Sequence, residues 1–200
     1  MSQRRVLLLG GPSNAGKSTL AAALAAQLGW RHISTDSLGR HPGRPWPSNG
    51  RAVPQHVVEH DLSLSPDDLF DAVLHHYQRL QPAIAALITM HATDPAADSL
   101  ILEGSAIWPE FVAARIDDRV AAVWLTASSD LLRRRIYQAS RIETTTGDEQ
   151  QIIQKFLGRA LRYNQHMLAA VQRLGLACID VGSASSPDDL AQRCLEILRP

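Results

Sequence analysis

The feature that most constrains the fold of this 200-residue chain is a glycine-rich segment, GPSNAGKS, at positions 11–18. It fits the pattern G-x-x-x-x-G-K-[ST] and lies between an apolar run at 6–11 and an alanine- and leucine-rich stretch at 19–29. The run is typical of a strand, and the stretch is typical of a helix that stops at Gly29. A strand, a tight loop and a helix in this order direct backbone amides and a positive helix N-terminus at one point. The segment, called the phosphate loop below, therefore predicts a phosphate-binding site.

The residues of the phosphate loop are expected to divide the binding of a nucleoside triphosphate and Mg²⁺ between them. Lys17 would reach the β- and γ-phosphates, and Ser18 would be a Mg²⁺ ligand. The positions predicted to bind nucleotide are Gly11, Asn14, Ala15, Gly16, Lys17, Ser18 and Thr19. A chance match in an ordinary strand–helix turn is the alternative, but glycine, lysine and serine would then have to coincide after a strand.

The rest of the chain predicts an α/β fold. Further short apolar runs occur at 31–36, 100–105, 120–126 and 176–182, most of them separated by helix-length segments. This alternation favours a parallel sheet that is covered by helices on both faces. The length and the 45% hydrophobic content suit a single domain over 1–200.

Three helix starts share one pattern of serine followed by acidic residues. Ser65 and Ser186 each precede a proline and two aspartates, and Ser129 precedes Asp130. We expect these serines to be N-caps, with the acids favoured by the helix dipole. The stretch 66–92 predicts a helix that Pro82 kinks or splits in two.

The charge balance gives no sign of a polyanionic or membrane partner. Twenty basic and twenty acidic side chains give a formal net charge of zero, so no global field favours nucleic acid or an anionic membrane. The apolar run that follows Arg4 and Arg5 ends at Gly10, far below the roughly 20 residues of a membrane span. We therefore expect a cytoplasmic protein, as a monomer or a homodimer, with no nucleic-acid or membrane partner.

Two acidic residues are placed where predicted strands end. Asp36 closes the run 31–36, and Glu103 ends LILE within 100–105. In a parallel sheet both carboxylates would emerge at the edge where the phosphate loop lies. Asp36 is the candidate general base for a hydroxyl, with a turn cap as the alternative. Glu103 is the candidate Mg²⁺ or substrate ligand, with a simple turn as the alternative.

Basic residues form rows on two predicted helices of the C-terminal half. Arg134, Gln138 and Arg141 lie opposite an apolar face in the first, and the second carries a basic face beside a buried stripe. That second face comprises Lys155, Arg159, Arg162 and His166, and the stripe comprises Ile153, Leu157, Leu161 and Leu168. One row is predicted to face the phosphates, with Arg134 and Arg141 as catalytic candidates and Arg159 and Arg162 as substrate contacts. A solvated basic face is the alternative reading.

Two connecting segments are candidates for substrate handling. The segment 41–56 contains four prolines, and its Arg44, Trp46 and Arg51 are expected to contact the substrate within an insertion over about 37–65. The segment 144–150, TTTGDEQ, is small, polar and flexible, and suits a lid over about 141–150 with Arg141 at its root. A disordered loop is the alternative for the first segment, and an inert helix hairpin is the alternative for the second.

With the phosphate loop after the first strand, Asp36 after the second, Glu103-Gly104 after the third and an arginine-rich helix pair before the last, the chain resembles P-loop kinases of the nucleoside and nucleotide kinase branch. Shikimate kinase, gluconate kinase and chloramphenicol phosphotransferase share this plan. The stretch TDSLGRHPGRPW also looks like proteins described as 2-phosphoglycerate-kinase-like or AAA-type ATPases. The resemblance spans nearly the whole chain.

The resemblance implies the three-layer P-loop NTPase sandwich, with a five-stranded parallel sheet ordered 2-3-1-4-5. It implies ATP on the phosphate loop, an acceptor between the second and third strands, and Asp36 as the acid near that acceptor. Arg134 or Arg141 would match the lid arginine, and the segment 181–183, with Gly182, would lie near adenine. The expected activity is ATP-dependent transfer of the γ-phosphoryl to a hydroxyl of a small metabolite. The alternative is an ATP-binding module that hydrolyses ATP slowly and acts through a partner.

The predicted lid differs from that of adenylate kinases. Arg135 and Arg141 are six positions apart, so the compact R-x-x-x-R pattern is absent, and no recognisable nucleoside-monophosphate pocket follows the second strand. A sugar, a sugar acid, an antibiotic or another metabolite is therefore favoured over a nucleotide as the acceptor.

Overall fold

The structure is a computed structural model that describes residues 4–39, 44–47, 52–145, 147–184 and 186–199. This part of the chain contains five strands, seven α-helices and three short 3₁₀ turns. The strands are β1 Val6–Gly10, β2 Arg31–Ser34, β3 Leu100–Glu103, β4 Val120–Thr126 and β5 Cys178–Asp180. The helices are α1 Lys17–Leu28, α2 Gln55–Ser63, α3 Pro66–Thr93, α4 Pro109–Val112, α5 Ser129–Ser140, α6 Asp148–Arg173 and α7 Pro187–Leu198.

The five strands form one parallel sheet in the order β2-β3-β1-β4-β5, as the resemblance implied. Its register aligns the carboxyl ends of the first three strands, because Glu103 of β3 pairs with Leu9 of β1 on one side and with Ser34 of β2 on the other. The segments that follow these strands therefore meet at one edge of the sheet. This alignment brings the loop after β1, the turn after β2 and Glu103 together.

Helices cover both faces of the sheet, so each strand contributes alternate residues to two separate cores. Val6 and Leu8 of β1 join the core beneath α3 and α6, whereas Leu7 and Leu9 join the core beneath α1, α5 and α7. All four side chains are fully buried. The predicted α/β fold with two covered faces is thereby confirmed. Within the described residues, none of the helices has both the length and the apolarity that crossing a membrane requires.

Two of the three predicted serine N-caps are confirmed, and the third lies one residue earlier than predicted. Ser65 forms a full capping box with Asp68, and the Ser186 side chain accepts from the Asp189 amide. The predicted cap at Ser129 is wrong, because the extended residue before α5 is Ser128, and its side chain accepts from the Leu131 amide at 3.2 Å. An N-cap oxygen reaches the amide three residues on, so this geometry makes Ser129 the first helical residue.

Pro82 does not split the long helix, since α3 runs without interruption from Pro66 to Thr93. Leu80, Ile84 and Ile88, on either side of the proline, are all buried against the sheet. Their shared packing outweighs the one backbone hydrogen bond that proline removes. The predicted division into two helices is therefore wrong.

Gly104, directly after β3, gives a test of how closely the strand ends are packed. Its φ is +149°, and a Cβ at this position would lie 1.8 Å from Thr35 Oγ1. Gly104→Ala should lower the free energy of unfolding by about 3 kcal/mol, since it combines overpacking with a positive φ. Urea denaturation followed by circular dichroism measures the loss.

Gly175→Ala is the matched control for this prediction. Gly175 has a φ of +65°, and its Cβ would meet no atom within 4 Å, so alanine should cost about 1–2 kcal/mol through backbone strain alone. Equal losses in the two variants would contradict the close packing of Gly104 against Thr35.

Candidate functional site

A cavity of about 730 Å³ opens where the strands end. The phosphate loop forms one part of its wall, and Asp36 and Glu103, from the ends of β2 and β3, form another. Residues 186–188, at the start of α7, and Val181 complete the side beyond β5. The cavity thus collects the segments that follow four of the five strands.

The phosphate loop adopts a conformation that glycine and asparagine permit. Its φ values are positive at Gly11, Asn14 and Gly16, at +142°, +63° and +98°. A Cβ on Gly11 would lie 2.7 Å from Leu125 O of β4, so the close approach of the loop to the sheet also requires glycine. Gly16 then leads into α1 at Lys17, and the helix N-terminus lies directly beside the cavity. This is the backbone arrangement that binds phosphate in other proteins.

Lys17 is folded back beneath the phosphate loop. Its Nζ donates to Pro12 O at 2.9 Å and to Ser105 Oγ at 3.3 Å, and Ser105 Oγ donates to Gly11 O at 2.9 Å. Burial lowers the pKa of Lys17, while the nearby carboxylates of Glu103 and Asp36 oppose that shift. The ammonium group is therefore held at the centre of the site and connected to both sides of the loop.

Ser18 and Glu103 form an oxygen pair next to Lys17. Ser18 Oγ donates to Glu103 Oε1 at 3.0 Å, and the Glu103 side chain is buried. His32 Nε2 lies 3.8 Å from the same carboxylate oxygen. A hydroxyl and a carboxylate are hard oxygen donors of the kind that Mg²⁺ prefers, so the residues present fit that ion. The predicted partners Ser18 and Glu103 are thus adjacent in the structure.

Asp36 lies in a short 3₁₀ turn, Thr35–Ser37, that follows β2. The cap of this turn is Ser34, whose side chain accepts from the Asp36 amide, so the carboxylate of Asp36 is not needed as the cap. The residue is exposed, lines the cavity and is close enough to raise the pKa of Lys17. Its position therefore suits contact with a bound molecule better than the turn-cap alternative.

Arg135 of α5, which sequence reasoning did not select, lines the cavity. Its Nη1 donates to Ala15 O at 2.9 Å and to Asn14 O at 3.2 Å, on the outer side of the phosphate loop. Arg134 and Arg141, the predicted catalytic arginines, are exposed and do not line the cavity. Arg135 lies at the edge of the apolar face of α5, and this edge faces the phosphate loop. Arg135 is accordingly half-buried, whereas Arg134 is exposed.

The predicted substrate segment divides into residues with different surroundings. Arg44 lines the cavity and lies close enough to Lys17 to lower its pKa. Trp46 is 3% exposed and instead packs edge-on against Phe156, with a centroid distance of 4.8 Å, in a cluster with Ile136 and Ile153 of α5 and α6. Trp46 thus packs the segment 44–47 against α5 and α6. Arg51 lies outside the described residues.

The predicted basic face of α6 is not a single surface. Lys155 Nζ donates to the carbonyls of Leu62 and Leu64 at the end of α2, and Arg162 forms an exposed ion pair with Asp67. Arg159 is buried instead, with its Cζ 4.5 Å from the centroid of the Phe156 ring. The row is split because α2 and α3 both pack against α6.

The buried stripe of α6 also differs from the prediction. Ile153 and Leu157 are buried as expected, whereas Leu161 and Leu168 are only partly buried. Four other residues of α6 are buried as well: Phe156 and Ala160 in the cluster with Trp46, and Tyr163 and Met167 in the core against the sheet. The buried face of α6 is therefore rotated from the predicted one, so that it includes Phe156 and Tyr163.

The adenine-side and lid predictions remain predictions. Gly182 follows the lining residue Val181, and its amide donates to Asp180 Oδ1 at 2.8 Å. In the predicted lid, a 3₁₀ turn at Ile142–Thr144 connects α5 to α6, which begins at Asp148. Thr146 lies outside the described residues. Tyr77, Ser105 and Phe156 also line the cavity and carried no recognisable pattern in the sequence.

The fold matches solved structures of small-molecule kinases. A gluconokinase from Sinorhizobium meliloti 1021 superposes with a TM-score of 0.55 at 19% identity, over 98% of this chain and 93% of that chain. Shikimate kinase from Acinetobacter baumannii, in complex with shikimate, gives 0.53 at 17% identity, and a sugar kinase from Janibacter sp. HTCC2649 gives 0.50 at 17%. Both cover 98% of this chain and 94% of the other. No protein-family model and no curated protein sequence matches the chain. These likenesses show that the chain has the P-loop kinase fold.

Proposed function

We propose that this protein is an ATP-dependent phosphotransferase that moves the γ-phosphoryl group to a hydroxyl of a small metabolite. The observation that carries the proposal is the meeting of three chemically distinct groups in one cavity. These are the Lys17 ammonium beneath the phosphate loop, the Ser18–Glu103 oxygen pair and the carboxylate of Asp36. The kinase fold of the solved neighbours supports the same reaction class.

The phosphate-loop side of the cavity would bind the triphosphate. Its amides and the N-terminus of α1 would surround the phosphates, and the Lys17 ammonium would stabilise negative charge on the transferring group. Ser18 and Glu103 would hold Mg²⁺, which neutralises charge on the phosphate oxygens when bound. Arg135 fixes the outer side of the loop and adds a second positive charge there. Residues near Val181 and the start of α7 would contact the base.

The Asp36 side of the cavity would bind the acceptor. Asp36 would accept the proton of the acceptor hydroxyl as its oxygen forms a bond to the γ-phosphorus, and the bond from that phosphorus to the bridging oxygen of ADP would break. The products are ADP, the phosphate ester and the proton held by Asp36. Arg44 and Glu103, which also line the cavity, would contact the acceptor.

Incubation with Mg·ATP and pooled hydroxyl metabolites, followed by ³¹P NMR, tests the proposal. The pool contains sugar acids, glycerates, nucleosides and aminoglycosides, and Lys17→Ala is run beside the wild type. A new phosphate ester that forms only with Lys17 present is the expected result. Slow release of free phosphate, with ATP-dependent binding to a protein partner, would contradict it and favour the switch module.

Asp36→Asn separates the chemical step from nucleotide binding. Asparagine keeps the size of the side chain but removes the proton acceptor, so kcat for the phosphate ester found above should fall roughly 10²–10⁴-fold. ATP affinity, measured by calorimetry, should stay close to that of the wild type because Asp36 lies beyond the loop that holds the phosphates. Transfer at the wild-type rate would rule out the role of Asp36 as base.

Arg135→Ala tests the unpredicted arginine. It removes two hydrogen bonds to loop carbonyls together with a positive charge, for which about 1.5–3 kcal/mol is typical, so ATP should bind roughly tenfold more weakly or worse. Arg133→Ala is the control on the same helix, because Arg133 is exposed and pairs only with Asp130 among the described residues. Equal ATP affinity in the two variants would show that Arg135 does not support the nucleotide site.

A further inference from the structure

His32 of β2 has a ring nitrogen that is enclosed without a partner. Its Nε2 is fully shielded from solvent and makes no hydrogen bond among the described residues, although the side chain as a whole is 27% exposed. The exposed part of the ring therefore consists of atoms other than Nε2. Leaving a buried polar atom unpaired is unfavourable, so the position of this nitrogen calls for an explanation.

The register of the sheet turns His32 towards the face that carries Glu103. Ile101 and Glu103 are two residues apart on β3 and so point to the same face, and Ile101 belongs to the core beneath α1. His32 pairs with Ile101 and Ser34 pairs with Glu103, so both of these β2 side chains lie on that face as well. Helix α1 packs against both strands and carries Ser18. His32 therefore lies beside the Ser18–Glu103 pair.

Glu103 is the acidic group that His32 faces. Its Oε1 lies 3.8 Å from His32 Nε2, and a relative shift of about 1 Å would bring the two atoms to hydrogen-bond distance. The carboxylate of Glu103 is buried, and the side-chain hydrogen bond described for it comes from Ser18 Oγ. A carboxylate has about four acceptor positions, so Glu103 can accept from His32 as well.

His32 is suited to act through Glu103 rather than on a bound molecule. It is absent from the described residues that line the cavity, whereas Ser18 and Glu103 are among them. In the proposed function the Ser18 hydroxyl is a ligand of the ion, and the Lys17 ammonium already donates to two oxygens of the loop region. A carboxylate that binds a metal ion is normally oriented by a further hydrogen bond. His32 Nε2 is in place to donate it.

We propose that His32 is a positioning residue that donates from Nε2 to the Glu103 carboxylate and so orients it as a ligand of Mg²⁺. This inference rests on the metal role that the proposed function gives to Ser18 and Glu103, and it deepens that role. The neutral ring then carries its proton on Nε2 rather than on Nδ1.

Calorimetric titration with the non-hydrolysable ATP analogue AMP-PNP tests the inference without relying on turnover. Binding is measured in EDTA and over a series of Mg²⁺ concentrations, and in the wild type it should tighten as Mg²⁺ is added. His32→Leu keeps a side chain of roughly the same size but has no donor. It should bind the analogue in EDTA as the wild type does, while the Mg²⁺ concentration that gives half of the tightening should rise roughly tenfold or more.

Two further variants separate donation from packing. His32→Gln retains a side-chain N–H donor and should restore at least part of the Mg²⁺ response. His75→Leu is the control for the substitution itself, because His75 is an exposed residue of α3, and it should behave as the wild type. An equal rise in His32→Gln and His32→Leu, or an equal loss of affinity with and without Mg²⁺, would overturn the inference and assign His32 a packing role.

Nitrogen NMR on the wild type gives a measurement that holds even if His32→Leu does not fold. Long-range ¹H–¹⁵N spectra with Mg²⁺ and AMP-PNP report which ring nitrogen carries the proton. The chain has eight histidines, so the His32 signals are assigned by their absence in His32→Gln. The Nε2–H tautomer is expected, and the Nδ1–H tautomer would overturn the inference.

The remaining outcomes separate this inference from the kinase proposal. An unchanged Mg²⁺ requirement in His32→Leu, with a Lys17-dependent phosphate ester formed by the wild type, would leave the kinase proposal standing without the inference. A raised Mg²⁺ requirement in His32→Leu, with no ester from any pool, would leave the positioning role standing in a nucleotide-binding module. Binding that is independent of Mg²⁺ in the wild type would overturn the inference together with the metal role of Ser18 and Glu103.

Discussion

The site depends on the hydrogen bonds and charge interactions of the buried Lys17 ammonium group. It donates to Pro12 O and to Ser105 Oγ, and so it connects the start of the phosphate loop with the segment after β3. Its charge is unfavourable in a buried position unless acids lie nearby, and Glu103 and Asp36 meet this need. The parallel register brings those acids into place by aligning the ends of β1, β2 and β3. The topology of the sheet therefore determines which charges surround Lys17.

The parts of the fold and site that could be predicted are those whose information is local in the sequence. The phosphate loop specifies its own backbone, because Gly11 and Gly16 occupy positive φ values. Asp36 and Glu103 follow short apolar runs, and the rule that parallel strands share a carboxyl edge places them beside the loop. The strand order was implied by a resemblance, since periodicity alone contains no information about which strands are neighbours.

The parts that could not be predicted depend on how one helix meets another. Arg134 and Arg135 differ by about 100° around α5, and only tertiary packing, in which Leu132 of α5 joins one of the two cores, decides which one reaches the loop. Arg159 and Arg162 are three residues apart, yet α3 pairs Arg162 with Asp67 while Arg159 is enclosed beside Phe156. Trp46 was expected to contact the substrate because it lies in a proline-rich segment with two arginines. It is instead a packing residue that holds the segment of Arg44 against α5 and α6.

The charges that line the cavity bear on how a triphosphate would be bound. Among the described residues that line it, three basic side chains stand against three acidic ones: Lys17, Arg44 and Arg135 against Asp36, Glu103 and Asp188. The lining is therefore formally balanced, and the charge of a triphosphate must be met by the loop amides, the dipole of α1 and a metal ion. Those elements all lie at the phosphate end. The Asp36 end is therefore left for the second substrate, as the proposed division of the cavity requires.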